Sequence, residues 1–199
     1  MITNYQLGNS LYLNITNACT NRCDFCIRNT TQGPGEKSLW LEREPLAREI
    51  IADLPADLKQ FDEVVFCGYG EPLVRLEVVK EVAAYLRQQQ VKSIRINTNG
   101  QANLIHRRNI VPDLVGLVDV VSISLNAENA EKYQAKCHSV YGKEAYSALL
   151  EFAAECRKHL PRVILTVVDD GTVDIGACHK IAETLGVELR IRHYYPEFA

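Results

Sequence analysis

Residues 19–26 read Cys19-Thr-Asn-Arg-Cys23-Asp-Phe-Cys26, and the segment before them, Ser10-Leu-Tyr-Leu-Asn-Ile-Thr16, alternates like a strand. Three thiols in a short polar stretch at a strand end form a ligand set for a metal centre. Cysteine also packs as a small apolar core residue. Three cysteines flanked by Asn17, Asn21, Arg22 and Asp24 do not read that way. Zinc accepts thiolates but normally closes its structural sites with a fourth Cys or His, and no His lies between Cys26 and His106. Iron–sulfur clusters take the same ligands. Spacing alone leaves the metal open, and it leaves one coordination position without a cysteine.

Working outward, period-two and period-3.6 patterns alternate along the chain, which is the mark of repeated β/α units. Strands are predicted at residues 11–16, 63–67, 93–97, 119–125, 162–168 and 187–192. Helices are predicted near 44–54, 74–89, 104–116, 143–158 and 174–185. Val78, Val79, Val82 and Leu86 give the second helix an apolar face. Tyr146, Leu149, Leu150 and Ala153 do the same in the fourth, and Ile175, Cys178, Ala182 and Leu185 in the fifth, with Gly186 placed to end it. Six strands with helical crossovers suit a parallel sheet, either open or curved into a partial barrel.

Parallel strands are usually apolar on both faces. Here polar residues recur on one face near the strand ends: Asn14 and Thr16, then Arg95, Asn97 and Asn99, then Ser122, Ser124 and Asn126. That pattern predicts a wet, functional interior. The plainer alternative is that these side chains cap helices or bond to nearby backbone. The apolar strand Glu63-Val-Val-Phe-Cys67 runs into Gly68-Tyr-Gly70-Glu71-Pro72, where two residues without Cβ can present backbone groups to a ligand. An ordinary strand-to-helix turn has the same composition, and Glu71 has the alternative role of bracing that turn.

The chain has 199 residues, 47% of them hydrophobic, enough for one domain with a substantial core, taken as residues 1–199. A formal net charge of -3 gives no general electrostatic reason to expect nucleic-acid binding. The N-terminus lacks a basic region followed by a long apolar run, and no stretch reaches membrane-spanning length. Seven cysteines cannot all pair, so a reducing, cytoplasmic setting is expected. Cys156 and Cys178 fall in helix patterns as small apolar residues. Cys137 lies in a polar stretch before a helix with no evident ligand partners. Cys67 shares a strand face with Val65, which favours the core. His138, His159 and His179 form no metal motif.

Cys19-xxx-Cys23-xx-Cys26, with aromatic Phe25 before the last cysteine, resembles the signature of the radical S-adenosylmethionine (SAM) superfamily. Gly68-Tyr-Gly70-Glu71-Pro72 resembles its glycine-rich motif after the second strand, and Arg95-Ile-Asn97-Thr-Asn99-Gly100 is a weaker match at the next strand end. Among compact members the chain is similar to activating enzymes. It is most similar to the small branch associated with TatD-type nucleases, through the Tyr-Leu-Asn-Ile-Thr and Phe66-Cys-Gly-Tyr-Gly-Glu-Pro72 segments. No repeated His/Asp arrangement supports nuclease activity itself.

The resemblance implies an α/β fold, a shortened (β/α)6 partial TIM-like barrel. It implies a [4Fe-4S] cluster on Cys19, Cys23 and Cys26, with S-adenosyl-L-methionine chelating the fourth iron. One electron, from a donor such as flavodoxin or ferredoxin, would then yield a 5′-deoxyadenosyl radical that abstracts hydrogen from the substrate. Gly68, Gly70, Glu71 and Pro72 would meet the methionyl ammonium. Asn97, Asn99, Ser122, Ser124 and Asn126 would face the ribose or carboxylate. Many relatives carry charges where this chain has Ser122-Ile-Ser124-Leu-Asn126, so the contacts there are not carried over in detail. Thr166 would extend the lining, and Arg192 would pair with the cofactor carboxylate or an anionic substrate. Phe25 would pack beside the cluster. Arg28 would bear on cluster potential or substrate charge, or lie on the surface. A short barrel with a wide lateral opening suits a protein substrate. A small nucleotide-like metabolite is the competing enzymatic reading, and a zinc-stabilised binding protein the non-enzymatic one.

Overall fold

The computed structural model describes residues 1–29 and 38–193. Its centre is one sheet of seven strands lying side by side in chain order: β1 (Asn4–Leu7), β2 (Ser10–Leu13), β3 (Glu63–Phe66), β4 (Ile94–Thr98), β5 (Val120–Ser124), β6 (Arg162–Asp169) and β7 (Glu188–His193). β1 folds back antiparallel on β2, and every later neighbour is parallel. Parallel strands in sequential order require every crossover to return over the same face, and right-handed crossovers then roll the sheet towards a barrel. Among the described residues β7 pairs only with β6, so the barrel is partial and open.

All six predicted strands are present, and β1 was not anticipated. The helices are α1 (Ala47–Ala52), α2 (Leu76–Gln88), α3 (Ala102–His106), α4 (Val111–Leu114), α5 (Ala130–Cys137), α6 (Glu144–His159) and α7 (Ile175–Leu185). The predicted helix over 104–116 is two short ones, because Arg107 turns left-handed at φ 53° and Pro112 sits where it can only begin a helix. α5 was read as polar loop. Asn129 caps it by accepting from Lys132 N, while Tyr133 and Cys137 are its buried face. Gly186 ends α7 at φ 66°, as its position suggested.

The alternation of the strands divides the molecule. Val64, Phe66, Ile94, Ile96, Val121, Ile123, Leu165 and Val167 point to the helices and belong to one continuous apolar core. On the other face the register aligns Tyr12, Val65, Arg95 and Val120 in one row, Asn97 with Ser122, and Ser124 with Thr166 and Arg190. The interior is thus apolar only in patches, and it becomes polar towards the C-terminal strand ends.

Candidate functional site

A cavity of about 510 Å³ opens at those C-terminal ends, within the range of ~300–1,000 Å³ usual for small-molecule and cofactor sites. It is lined by Cys19, Cys23 and Cys26, by Phe25, by Gly68, Gly70 and Glu71, by Asn97 and Asn99, by Ser122, Ser124 and Asn126, and by Thr166 and Arg192. Every residue singled out in the sequence for cluster or cofactor therefore lines one space except Arg28 and Pro72. Pro72 is buried behind the turn and begins a 3-10 turn at Pro72–Arg75. Arg192 stands at the exposed edge strand, at the rim.

The cysteine loop is laced to the rest of the barrel by polar side chains. Gln101, fully buried, accepts from Thr20 Oγ1 at 2.7 Å and from Ser139 Oγ at 3.0 Å, and donates to Asn21 Oδ1 at 2.8 Å and Tyr133 OH at 3.0 Å. Asn99 Nδ2 donates to Thr20 Oγ1 at 2.8 Å. Arg28 is no surface arginine: it donates to Asn17 O at 3.1 Å and Asn21 O at 3.3 Å, and its guanidinium lies 5.9 Å from the Trp40 ring centre. Gln101 and Tyr133 were missed in the sequence. A lone Gln after a turn and a Tyr in a short polar helix carry no local signal of such a role.

The glycine turn is welded to the same loop. A Cβ on Gly68 would lie 2.0 Å from Asn14 Oδ1, and one on Gly70 would lie 2.4 Å from Thr16 O and 2.6 Å from Ala18 O. These glycines are required first by close packing against β2 and the cysteine loop. Asn14 and Thr16 take the plainer of their two readings. Asn14 donates to Ile2 O at 3.0 Å and Leu39 O at 2.7 Å, and Thr16 donates to Glu44 Oε1 at 2.9 Å. Glu71 braces the turn. Its N–H donates to Ala18 O at 2.8 Å, and its carboxylate accepts from Leu73 N at 3.0 Å, Thr98 Oγ1 at 2.8 Å and Asn99 N at 2.6 Å. Burial pushes the Glu71 carboxyl up to about 7.

Deeper in the interior, Arg95 makes a bidentate pair with Glu63, at 2.9 and 2.7 Å, and donates to Asn97 Oδ1 at 2.8 Å. Asn97 and Cys67 line the same cavity. Cys67 therefore faces the cavity, and the core placement expected from its face-mate Val65 is corrected. Two sulfurs of the loop sit in poorly solvated surroundings. Burial and the nearby Glu71 carboxylate push Cys19 up to about 12. Cys23 is raised by a hydrogen bond with Cys137 and by burial. Cys137, expected in polar loop without partners, is buried at the end of α5 beside Cys23.

Three thiols on one wall of a cavity are a donor set for an iron–sulfur cluster. Among the described residues no three His, Cys, Asp or Glu side chains already converge as a coordination sphere, so the loop must draw together to hold one. Asn126, left-handed at φ 55° and buried, also lines the cavity and keeps Oδ1 without a hydrogen-bond partner among the described residues. The residues fit the cluster and cofactor implied by the motifs.

The sequence matches the Radical SAM superfamily over residues 13–175. No curated protein matches it. Among solved structures it is similar to Streptococcus suis SuiB, at 13% identity and TM-score 0.67, covering 89% of this chain and 38% of that one. It is similar to SuiB bound to the precursor peptide SuiA, at 12% identity and TM-score 0.67, covering 94% and 39%. It is also similar to a radical SAM methyltransferase from Sphaerobacter thermophilus, at 14% identity and TM-score 0.62, covering 96% and 68%. The chain thus spans about two-fifths of the length of SuiB, and these likenesses speak to the fold.

Proposed function

Because this chain belongs to the radical SAM superfamily, we propose that it is a radical enzyme holding a [4Fe-4S] cluster on Cys19, Cys23 and Cys26 and S-adenosylmethionine in the adjoining cavity. One observation carries the reading: the three thiols, the Gly68–Tyr69–Gly70–Glu71 turn and the polar ends of β4, β5 and β6 line a single space. When bound, the cluster and cofactor supply a 5′-deoxyadenosyl radical by one-electron cleavage of the sulfonium bond. The protein supplies position and exclusion of side reactions. Backbone groups of Gly68 and Gly70 receive the methionyl end, Ser122, Ser124 and Asn126 receive the ribose, and Thr166 continues that wall. Arg192 stands ready for a carboxylate with a bidentate fork. Phe25 covers the loop against water.

The substrate we favour is a segment of a protein or peptide, entering through the open side next to β7. The partial barrel supports this reading, as does the fold shared with SuiB, which has been crystallised with a precursor peptide. Within the superfamily we favour the TatD-nuclease-associated branch over the activating enzymes, on the likeness of the Tyr-Leu-Asn-Ile-Thr and Phe66-Cys-Gly-Tyr-Gly-Glu-Pro72 segments. We expect a flavodoxin or ferredoxin as electron donor and a cytoplasmic setting. No helix among the described residues is long and apolar enough to cross a membrane.

The test is anaerobic reconstitution with iron and sulfide, then incubation with S-adenosylmethionine and a reductant, reading 5′-deoxyadenosine. Formation of that product, together with a paramagnetic cluster signal that changes on cofactor addition, is the expected result. Cys19→Ala, Cys23→Ala and Cys26→Ala should each abolish it. A variant that keeps wild-type cleavage removes that cysteine from the ligand set, and bound zinc without a cluster overturns the assignment.

A further inference from the structure

Cys23 has a neighbour that cluster binding does not use. Cys137 is the last residue of α5 and has 0% exposure. The cysteine loop runs against it: Arg22 N–H donates to Cys137 O at 2.9 Å and Asp24 N–H to Lys136 O at 3.0 Å, with Cys23 between them. Val140 N–H donates to Thr20 O at 2.9 Å, and His138 Nε2 lies 2.8 Å from Asp24 Oδ1, so the seam is fastened on both sides. Within it Cys23 packs against the apolar core to which the Cys137 side chain belongs. Asn126 Nδ2, 3.8 Å from Cys137 Sγ, holds the buried sulfur from behind. Cys23 is half-buried and lines the cavity, whereas Cys137 does not.

We propose that Cys23 and Cys137 form a reversible disulfide whenever Cys23 carries no metal, and that this bond decides whether the loop can load a cluster. The disulfide stands on the geometry of the seam, and only its effect on loading rests on the proposed ligand role of Cys23. The oxidant is a low-molecular-weight disulfide entering from the cavity. Cys23 gives up its proton to water and attacks one sulfur of that disulfide. The small S–S bond breaks, a mixed disulfide forms on Cys23 and one small thiol leaves. Cys137 then gives up its proton and attacks Cys23 Sγ, expelling the second small thiol. Two protein thiols are oxidised by two electrons, and one small disulfide becomes two thiols. Backbone hydrogen bonds on both sides of Cys23 hold the two cysteines next to each other, and a disulfide tolerates Cα separations of about 4.4–6.8 Å. The bond also shields Cys23 from oxidation beyond the reversible stage, because a neighbouring thiol captures it first.

The experiment incubates metal-free wild-type protein with oxidised glutathione, alkylates the remaining thiols and digests with trypsin. Cleavage after Arg22, Arg28, Lys136 and Lys143 isolates residues 23–28 and 137–143. The expected product is these two peptides joined, released by dithiothreitol, retained in Cys26→Ser and lost in Cys23→Ser. Alkylated Cys137 with Cys23 joined instead to Cys19, Cys26 or glutathione overturns the proposal, and the wild-type map needs no variant to fold. In a second arm, oxidised and reduced samples are reconstituted with iron and sulfide without added thiol. We expect roughly tenfold less iron in the oxidised sample. Equal loading with the disulfide mapped overturns the gating. No loading in either sample overturns the ligand role of Cys23 and leaves the mapped disulfide standing.

Discussion

Glu71 shows what a single residue contributes here. Two backbone N–H groups and the Thr98 hydroxyl converge on its carboxylate, tying the glycine turn to the end of β4. Glu71→Gln would turn one acceptor into an N–H₂ group. Even if that amide donates to Thr98, the Leu73 or Asn99 N–H loses its partner, and a buried orphaned donor costs about 1–3 kcal/mol. Urea unfolding should show that loss. The same residue sets a pH dependence. Its carboxyl titrates at about 7 in the fold against 4.5 for the ordinary side chain, so between those values the folded state holds a proton that the unfolded chain releases. Its contribution is present in full below pH 4.5 and is lost as pH rises through about 7. The stability advantage of wild type over Glu71→Gln should therefore shrink from pH 5 towards about pH 8; a difference that grows instead would mean the carboxylate is the preferred buried form. That Glu71 sits in a turn at the end of a strand was legible from Gly68-Tyr-Gly70-Glu71-Pro72. Its bracing role over a ligand role was not, because the deciding donor, Asn99 N, lies 28 residues away.

At the scale of elements, the seam between the glycine turn and the cysteine loop is the mechanical centre of the site. The Gly70 Cα faces two backbone carbonyls, Thr16 O and Ala18 O, which cannot swing aside as a side chain can. Gly70→Ala must push the strand β2 exit and the cysteine loop apart. We expect a loss of about 1–3 kcal/mol in stability and, after reconstitution, less bound iron than in wild type. Iron content equal to wild type, with normal unfolding, would show that the loop accommodates the methyl group. The helices illustrate the opposite case. The apolar faces of α2, α6 and α7 were readable from period 3.6, and Val79, Val82, Leu86, Tyr146, Leu149, Ala153, Cys178 and Ala182 are indeed buried. α5 was not readable, since with Tyr133 and Cys137 as its buried residues it has too narrow an apolar face to stand out in eight residues.

For the whole molecule, the order β1 to β7 leaves the sheet with two ends, and among the described residues nothing joins them. Edge strands leave half of their backbone groups without a ladder partner. Backbone amide exchange should consequently be slowest in β3, β4 and β5, and faster in β1 and β7, none of whose residues is buried. Hydrogen exchange read by mass spectrometry checks this directly. Protection of β7 equal to that of β4 would mean that the barrel is closed by a further partner and that the side opening proposed for the substrate does not exist.

What the sequence determined by itself is local or periodic: three thiols in eight residues, a glycine turn after the next strand, and six strands alternating with helices. These are readable because ligand spacing and side-chain period act between residues close along the chain. Tertiary structure alone decided how each polar residue is used. Gln101 reaches Asn21 from 80 positions away, Asn14 is consumed by backbone carbonyls, Asn126 Oδ1 finds no partner among the described residues, and Cys137 is brought beside Cys23. A buried polar group must find a partner, and the partner is chosen by proximity in space, on which the intervening sequence is silent.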